Sequence, residues 1–132
     1  MSVNLETYYQ KLILGLQVGT NGYIVLKDAE GRIWLHPERA QWGIEVIGGR
    51  MEMYPNLDLE SLAGLIEHQK QGRAGVEEYY SYWWVEEGYP RVRKISAYCP
   101  VQIGEDFLIL SAVMDYDDIY IPVAKGVFRL VM

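Results

Sequence analysis

The sequence predicts a mixed α+β domain built on five antiparallel strands. Two short runs of strand-forming residues, 23–27 and 32–36, flank a turn, and three longer runs follow residue 75. Helix-like periodicity precedes the first run and separates the second from the third. A chain of 132 residues that is 50% hydrophobic can bury its own core, so we assign 1–132 to a single domain.

Three segments are expected to be helical. Apolar residues recur at three- and four-residue spacing from Leu5 to Leu16, which predicts an N-terminal helix over about residues 3–18. A similar pattern predicts a second helix over 59–71, where a glycine follows as a stop. A third helix is expected from about residue 117, because a group of aspartates there suits a helix N-terminus.

The sheet core is expected over about residues 22–115. The first two strands form a hairpin, because a four-residue loop ending in glycine, Asp28-Ala29-Glu30-Gly31, separates them. The remaining strands form a meander over the ranges 75–86, 92–103 and 107–114. An irregular segment at 37–56, with at most a short helix at its start, joins the hairpin to the second helix; long loops of this kind often carry function.

Composition and motifs exclude several function classes. The net charge is −6 and no dense basic patch occurs, which argues against nucleic-acid binding. The single cysteine, Cys99, lies in an apolar run and is expected to be a buried small residue. The sequence has no nucleophile elbow, phosphate-binding loop or zinc motif, so it predicts no enzyme activity, no cofactor and no metal.

One sheet face is expected to carry aromatic and polar side chains and to line a binding cleft. In the fourth strand Lys94 and Tyr98 share a face, opposite the segment 43–75, and the cation requires an anionic partner when buried. The candidate ligand-binding residues are Lys94, Tyr98, Tyr80, Tyr82, Trp34 and His36, with His36 at the rim. A small organic anion suits such a cleft.

Two alternatives remain open for this cleft. Glu78 shares the Tyr80 face, so it is a second candidate partner for Lys94, and that pairing would be purely structural. The register of the third strand is the other open question. A slip by one residue would replace its site residues with Tyr79, Ser81 and Trp83.

Three motifs resemble the Cache family. Gly22 to Pro37 is similar to the family's hairpin, which runs from Gly-Tyr through an Asp-x-x-Gly turn to His-Pro. Tyr98-Cys99-Pro100-Val101 resembles its Tyr-x-Pro-Val strand, and Ser111 to Ile119 resembles its closing strand and helix start. The resemblance covers about residues 20–122. It departs from the family where Met114-Asp115-Tyr116 replaces the usual Pro-Tyr, and in residues 43–75, which match only in kind.

The resemblance implies a PAS-like sensor domain. It implies a long N-terminal helix on one sheet face, a loop-helix segment on the other, and a pocket for a carboxylate or an amino acid. Cache domains are extracytoplasmic parts of bacterial histidine kinases and chemoreceptors. The abrupt ends of the chain fit a fragment of such a membrane receptor without its flanking helices, and a homodimer through the N-terminal helix is a further expectation. The alternative is a PAS-like structural or dimerisation module without a small ligand.

Overall fold

The computed structural model describes residues 22–84 and 86–117. They form five strands and two α-helices in the order β1 (Tyr23–Asp28), β2 (Ile33–Leu35), α1 (Gly48–Met53), α2 (Glu60–Gln69), β3 (Gly75–Tyr82), β4 (Arg91–Ile103) and β5 (Asp106–Asp115), with a 3₁₀ turn at Arg39–Gln41. The expected helices at 3–18 and from about 117 lie outside the described residues.

The strands form one antiparallel sheet in the order β2-β1-β5-β4-β3. The predicted five-stranded antiparallel sheet is therefore confirmed. The hairpin turn is held by Asp28, whose Oδ1 accepts hydrogen bonds from the backbone N–H groups of Glu30 (3.1 Å) and Arg32 (2.9 Å). Gly31 closes the turn with a φ of +90°, a conformation that costs a glycine little.

Pro100 lies inside β4 without breaking the sheet. The pairing of β3 with β4 begins at Gly75 and Tyr98, so Pro100 is beyond the end of β3 and pairs only with β5. A proline is tolerated where one side of a strand has no neighbour. Cys99, expected to be buried, is instead exposed on the other side of the pleat.

Most of the buried side chains of the sheet lie on one of its two faces. One face packs against α2 and the segment 36–57, and its side chains are buried: Tyr23, Val25, Lys27, Ile33, Leu35, Tyr79, Ser81, Lys94, Ser96, Tyr98, Ile109, Ser111 and Val113. The core is completed from the covering side by Val46 and by Leu62, Leu65 and Ile66 of α2. This face is unusual because serines and lysines alternate with its apolar residues. These polar residues lie at the centre of the face.

Candidate functional site

A small cavity lies between the sheet and its cover. Its volume, about 20 Å³, is enough for roughly one water molecule. Apolar side chains of β1, β2 and α2 form part of its wall. The polar or titratable groups around it are Tyr23, Lys27, His36, Arg50, Gln69, Tyr79, Ser81, Lys94 and Ser96. A cavity with so many polar groups is a candidate binding site rather than a packing defect.

Three cations surround this cavity, each from a different element. Lys27 of β1 is 5% exposed, Arg50 of α1 is 4% exposed and Lys94 of β4 is 1% exposed. Within the described residues no aspartate or glutamate lines the cavity. The two ion pairs between described residues, His68–Glu77 and Arg93–Glu78, lie at the surface. Buried charges are normally paired, so three neighbouring cations without a contacting carboxylate need another explanation.

Burial disfavours the charged form of each cation, and repulsion by Arg50 adds to this effect for the two lysines. Burial, followed by the nearby Arg50, lowers the pKa of Lys27 to about 7. The same two causes hold the pKa of Lys94 well below its ordinary value, although Asp115, its partner in the β4–β5 register, acts in the opposite direction. Burial lowers the pKa of Arg50 to about 10. An anion in the cavity would oppose all three shifts.

Lys94 is held at the junction of the sheet and the aromatic core. Its Nζ donates to the hydroxyl of Tyr23 (3.0 Å) and to the backbone carbonyl of Tyr82. The ammonium also lies 4.8 Å from the centre of the Trp83 ring, where a cation is attracted to the ring face. These neutral contacts use two of its three N–H donors and leave the net charge of the site unchanged.

Arg50 reaches the cavity from the cover. Its Nε donates to Oε1 of Gln41 (2.9 Å), and Gln41 in turn donates from Nε2 to the Tyr54 hydroxyl (3.1 Å). The guanidinium lies 4.1 Å from the centre of the Trp84 ring. In the described part of the chain the terminal guanidinium nitrogens have no hydrogen-bond acceptor. Arg50 is therefore oriented by α1 and its neighbours while its fork of donors stays available.

Four further polar atoms at the site are buried without a hydrogen-bond partner in the described structure. They are Nε2 of His36, Oε1 of Gln69 and the Oγ atoms of Ser81 and Ser96. His36 accepts a hydrogen bond at Nδ1 from the backbone N–H of Glu38 (3.0 Å), so its neutral ring carries the proton on Nε2. Burial lowers the pKa of His36 well below its ordinary value, which keeps it neutral and a donor.

The structure brings some of the sequence-predicted residues together. Lys94 and His36 line the cavity. Tyr82 contributes its carbonyl to Lys94, whereas its hydroxyl accepts from the backbone N–H of Asp58 (3.0 Å). Tyr98 shares the face of Lys94, but its hydroxyl donates to Glu77 and it does not line the cavity. Tyr82 and Tyr98 thus flank the site.

Tyr80 and Trp34 lie outside the cluster. Tyr80 is 44% exposed on the far side of β3, where Arg91 lies 4.7 Å from its ring centre. Trp34 is 42% exposed, and its Nε1 donates to Asp28 (3.2 Å) in the hairpin turn. The expected aromatic wall is supplied instead by Tyr23, Tyr79 and Trp84.

The face assignment of β3 that placed Tyr80 beside Lys94 is wrong. In the observed register Tyr79 is opposite Lys94, so Tyr79 and Ser81 face the cavity, as in the one-residue alternative. Glu78 points to the other face and pairs with Arg93, so it is not the partner of Lys94. The sequence left this open because both faces of β3 carry tyrosines that suit either a half-exposed or a buried position.

Sequence reasoning missed Lys27 and Arg50. Lys27 follows Tyr23 and Val25 at two-residue spacing, so the alternation of β1 places its side chain on the buried face. The alternation of β1 was therefore enough to predict that Lys27 is buried. Arg50 follows two glycines in a segment without apolar periodicity, and nothing in that pattern indicates a helix or a site.

No group of three or more metal-ligating side chains lies close together in residues 22–84 and 86–117. Nor does any helix in the same ranges have the length and apolar character needed to cross a membrane.

Three solved structures that this chain resembles are sensory or ligand-binding domains. The extracellular domain of a presumed histidine kinase matches with a TM-score of 0.62 at 20% identity, over 93% of this chain and 40% of the other. The periplasmic sensory domain of a Campylobacter jejuni chemoreceptor matches with a TM-score of 0.59 at 14% identity, over 88% and 35%. The ligand-binding domain of the Pseudomonas aeruginosa amino acid chemoreceptor PctB, in complex with L-Gln, matches with a TM-score of 0.53 at 19% identity, over 98% and 43%.

The fold is therefore that of PAS-like, Cache-type sensor domains of histidine kinases and chemoreceptors, as the sequence motifs indicated. The chain spans less than half the length of each of these structures. No protein-family model matches it, and no curated protein does. At 14–20% identity the likeness establishes the fold alone.

Proposed function

We propose that this chain is the extracytoplasmic ligand-sensing domain of a membrane-bound receptor, a histidine kinase or a chemoreceptor, with no catalytic activity of its own. Its ligand is a small organic anion, a short-chain carboxylate or an amino acid, bound in the cavity between the sheet and its cover. The fold supports the first part, because the similar structures are extracellular or periplasmic sensory domains. PctB binds L-Gln and L-Arg, which supports a ligand of this size.

The observation that carries the ligand proposal is the cluster of Lys27, Arg50 and Lys94. These cations are buried around one cavity without a contacting carboxylate in the described structure. Such a cluster destabilises a protein unless an anion binds there. The unpaired Nε2–H of His36 and the free donors of Arg50 provide hydrogen bonds for the same anion.

Binding requires the cover to move. A cavity of about 20 Å³ admits water but no carboxylate, so the ligand must enter while α1 is displaced from the sheet. Once inside, the anion contacts Arg50 of α1 and the two lysines of the sheet together. It therefore favours a closed cover by its different affinity for the closed and open states, and this difference is what a receptor can transmit.

A matched pair of variants tests the proposal. We expect a ligand in a library of carboxylates and amino acids to raise the melting temperature of the wild-type chain. At a hundred times its dissociation constant, the ligand should increase the free energy of unfolding by about 2.7 kcal/mol. Lys94→Met should abolish that shift. Arg93→Met, the adjacent residue on the exposed face, should retain it. Lys27→Met, which changes a cation in another strand, should also abolish the thermal shift.

The small cavity and the neutral contacts of Lys94 favour one other function, a PAS-like structural or dimerisation module without a ligand. The same experiment decides between the two. Absence of any thermal shift, or an equal shift in Lys94→Met and Arg93→Met, contradicts the sensor proposal. The receptor context has its own test. An added protease should cleave this domain while the inner membrane is intact, once any outer membrane has been permeabilised, whereas a cytoplasmic domain would stay protected.

A further inference from the structure

We infer that Lys27 is a site of reversible modification by carbon dioxide, which forms a carbamate on its side-chain amine and so gives the buried cations an anionic partner. The inference goes beyond the proposed function, because it needs no organic ligand in the cavity. It rests on three observations: the amine of Lys27 has no partner, cations and hydrogen-bond donors surround it, and the space beside it is small.

The amine of Lys27 is buried but not engaged. Its side chain lines the cavity and is 5% exposed. In the described part of the chain, Nζ of Lys27 has neither a hydrogen-bond acceptor nor a carboxylate partner. Lys94, by contrast, donates hydrogen bonds to the Tyr23 hydroxyl and the Tyr82 carbonyl. An adduct on Lys94 would break such contacts, whereas an adduct on Lys27 breaks none.

Burial also favours the reactive form of this amine. Carbon dioxide reacts only with an unprotonated amine. Burial and the nearby Arg50 lower the pKa of Lys27 to about 7, so much of its amine is unprotonated near neutral pH. A solvent-exposed lysine with an ordinary pKa of about 10.4 has roughly one unprotonated amine in a thousand at about pH 7.4. Lys27 should therefore react in preference to exposed lysines.

The reaction changes the charge of the site without oxidation or reduction. The lone pair of Nζ forms a bond to the carbon of carbon dioxide, and one C=O electron pair moves onto oxygen. One proton leaves Nζ for the solvent. The product is a carbamate with one negative charge. Because the reaction is reversible, the adduct accumulates only where the protein stabilises that charge.

The groups around Lys27 suit a carbamate. Arg50 and Lys94 provide positive charge, and the terminal nitrogens of Arg50 have no acceptor among the described residues. The Nε2–H of His36 and the hydroxyl of Ser96 are buried without partners there. An anion that accepts from such donors in a poorly solvated site is held strongly. No carboxylate of the described structure lines the cavity to oppose it.

The size of the cavity suits an added group better than a free ligand. The space of about 20 Å³ is that of roughly one water molecule. A carbamate adds one carbon and two oxygens to a side chain that is already part of the wall, and the flexible stem of a lysine can adjust its position. Tyr23 and Tyr79, the other titratable groups in this wall, stay neutral because burial raises their pKa.

Trapping at equilibrium tests the inference. The 132-residue chain is incubated with carbon-13 bicarbonate and carbon dioxide at about pH 7.4, and triethyloxonium then converts any carbamate to a stable ester. We expect peptide mass spectrometry to find the ester on Lys27, with an occupancy at least about 10-fold above that on Lys70, which is partly exposed after α2. Carbon-13 NMR should show a carbamate signal that Lys27→Met removes and Lys70→Met retains.

A second variant covers the case in which Lys27→Met does not fold. Arg50→Gln removes a charge that stabilises the carbamate and that favours the neutral amine, so it should lower the occupancy on Lys27 by at least about 10-fold. An absent adduct on Lys27, an adduct mainly on Lys94, equal occupancy on Lys70, or unchanged occupancy in folded Arg50→Gln would each overturn the inference. None of these results depends on the thermal shifts that test the sensor proposal, so the two can fail separately.

Discussion

Arg93 and Lys94 are consecutive residues of β4 with opposite surroundings. Arg93 is exposed, forms an ion pair with Glu78 on β3, and lies 3.8 Å from the centre of the Tyr116 ring. The hydrogen bond to Glu78 raises the pKa of Arg93 above its ordinary value. Lys94 is buried, has neutral hydrogen-bond partners, and its pKa is lowered by burial.

The contrast shows that the two faces of one strand can carry cations with different effects on stability. Arg93 costs the fold little free energy, whereas the charged form of Lys94 destabilises it. Arg93 has a contacting carboxylate and water, so its charge costs the protein little. Lys94, like Lys27 two strands away, loses hydration and gains no ion pair. Under the proposed function, a domain that keeps such residues trades stability for a ligand site, as functional sites commonly do. Three further experiments would break or sharpen this distinction.

The largest expected effect is on the stability of Lys27→Met. Lowering a pKa from 10.5 to about 7 corresponds to a cost of about 5 kcal/mol for holding that ammonium in the fold. Methionine has a similar volume and no charge, so we expect the variant without ligand to be more stable by about 1–4 kcal/mol. Urea unfolding measures the change. The control is Arg73→Met, which removes an exposed cation shortly after the end of α2 and should change the free energy of unfolding little. A less stable Lys27→Met would show that its ammonium stabilises the unliganded fold.

An effect of similar size is expected from pH. The pKa of Lys27 is about 7 in the folded chain and near 10.5 when unfolded, so the unfolded chain binds more protons between these values. The free energy of unfolding should therefore rise from pH 7 to about pH 10. Lys94 acts in the same direction. Above about pH 10 the sign reverses, because burial raises the pKa of Tyr23 and Tyr79 and the unfolded chain then loses protons first.

The same measurement on Lys27→Met should give a shallower rise over this window. The groups that face Lys27 across the cavity are Arg50, Lys94 and His36, and they are cationic or neutral. A carboxylate among them would give the opposite slope. A wild-type stability that stays flat or falls from pH 7 to about pH 9 would mean that the ammonium is solvated in the folded chain.

The smallest effect is expected at the surface pair. Glu78→Gln removes the partner of Arg93, yet both side chains are about half exposed, with 45% and 44% of their surface accessible. Exposed pairs contribute little, so the melting temperature and ligand affinity should match the wild type. Differential scanning calorimetry and the ligand titration check this. A clear loss of stability would remove the distinction between Arg93 and Lys94.

The sheet was predictable from sequence because its signals are local. Alternation along β1 and β4, together with the Asp28–Gly31 turn, is enough to define the hairpin and the face of Lys94. The register of β3 was not predictable, because tyrosines at 79, 80 and 82 are amphipathic and fit either face. Only the pairing of Tyr79 with Lys94 in the folded sheet resolves it.

The cover was the least predictable part of the site. The helix α1 begins with two glycines, which have low helix propensity, and the segment was expected to be irregular. Its formation depends on tertiary contacts, such as the stacking of Arg50 on Trp84. Arg50 and its role at the cavity therefore follow from long-range packing, which a single sequence does not reveal.

Under the proposed function, the small size of the cavity has a consequence for the speed of sensing. Under the proposed function, the stacking of Arg50 on Trp84 has to separate before a ligand can meet the lysines. The observed association rate should then level off at high ligand concentration instead of rising in proportion to it. Dissociation needs the same opening, so under the proposed function a bound ligand would be released slowly and a receptor carrying this domain would average over brief changes in its surroundings.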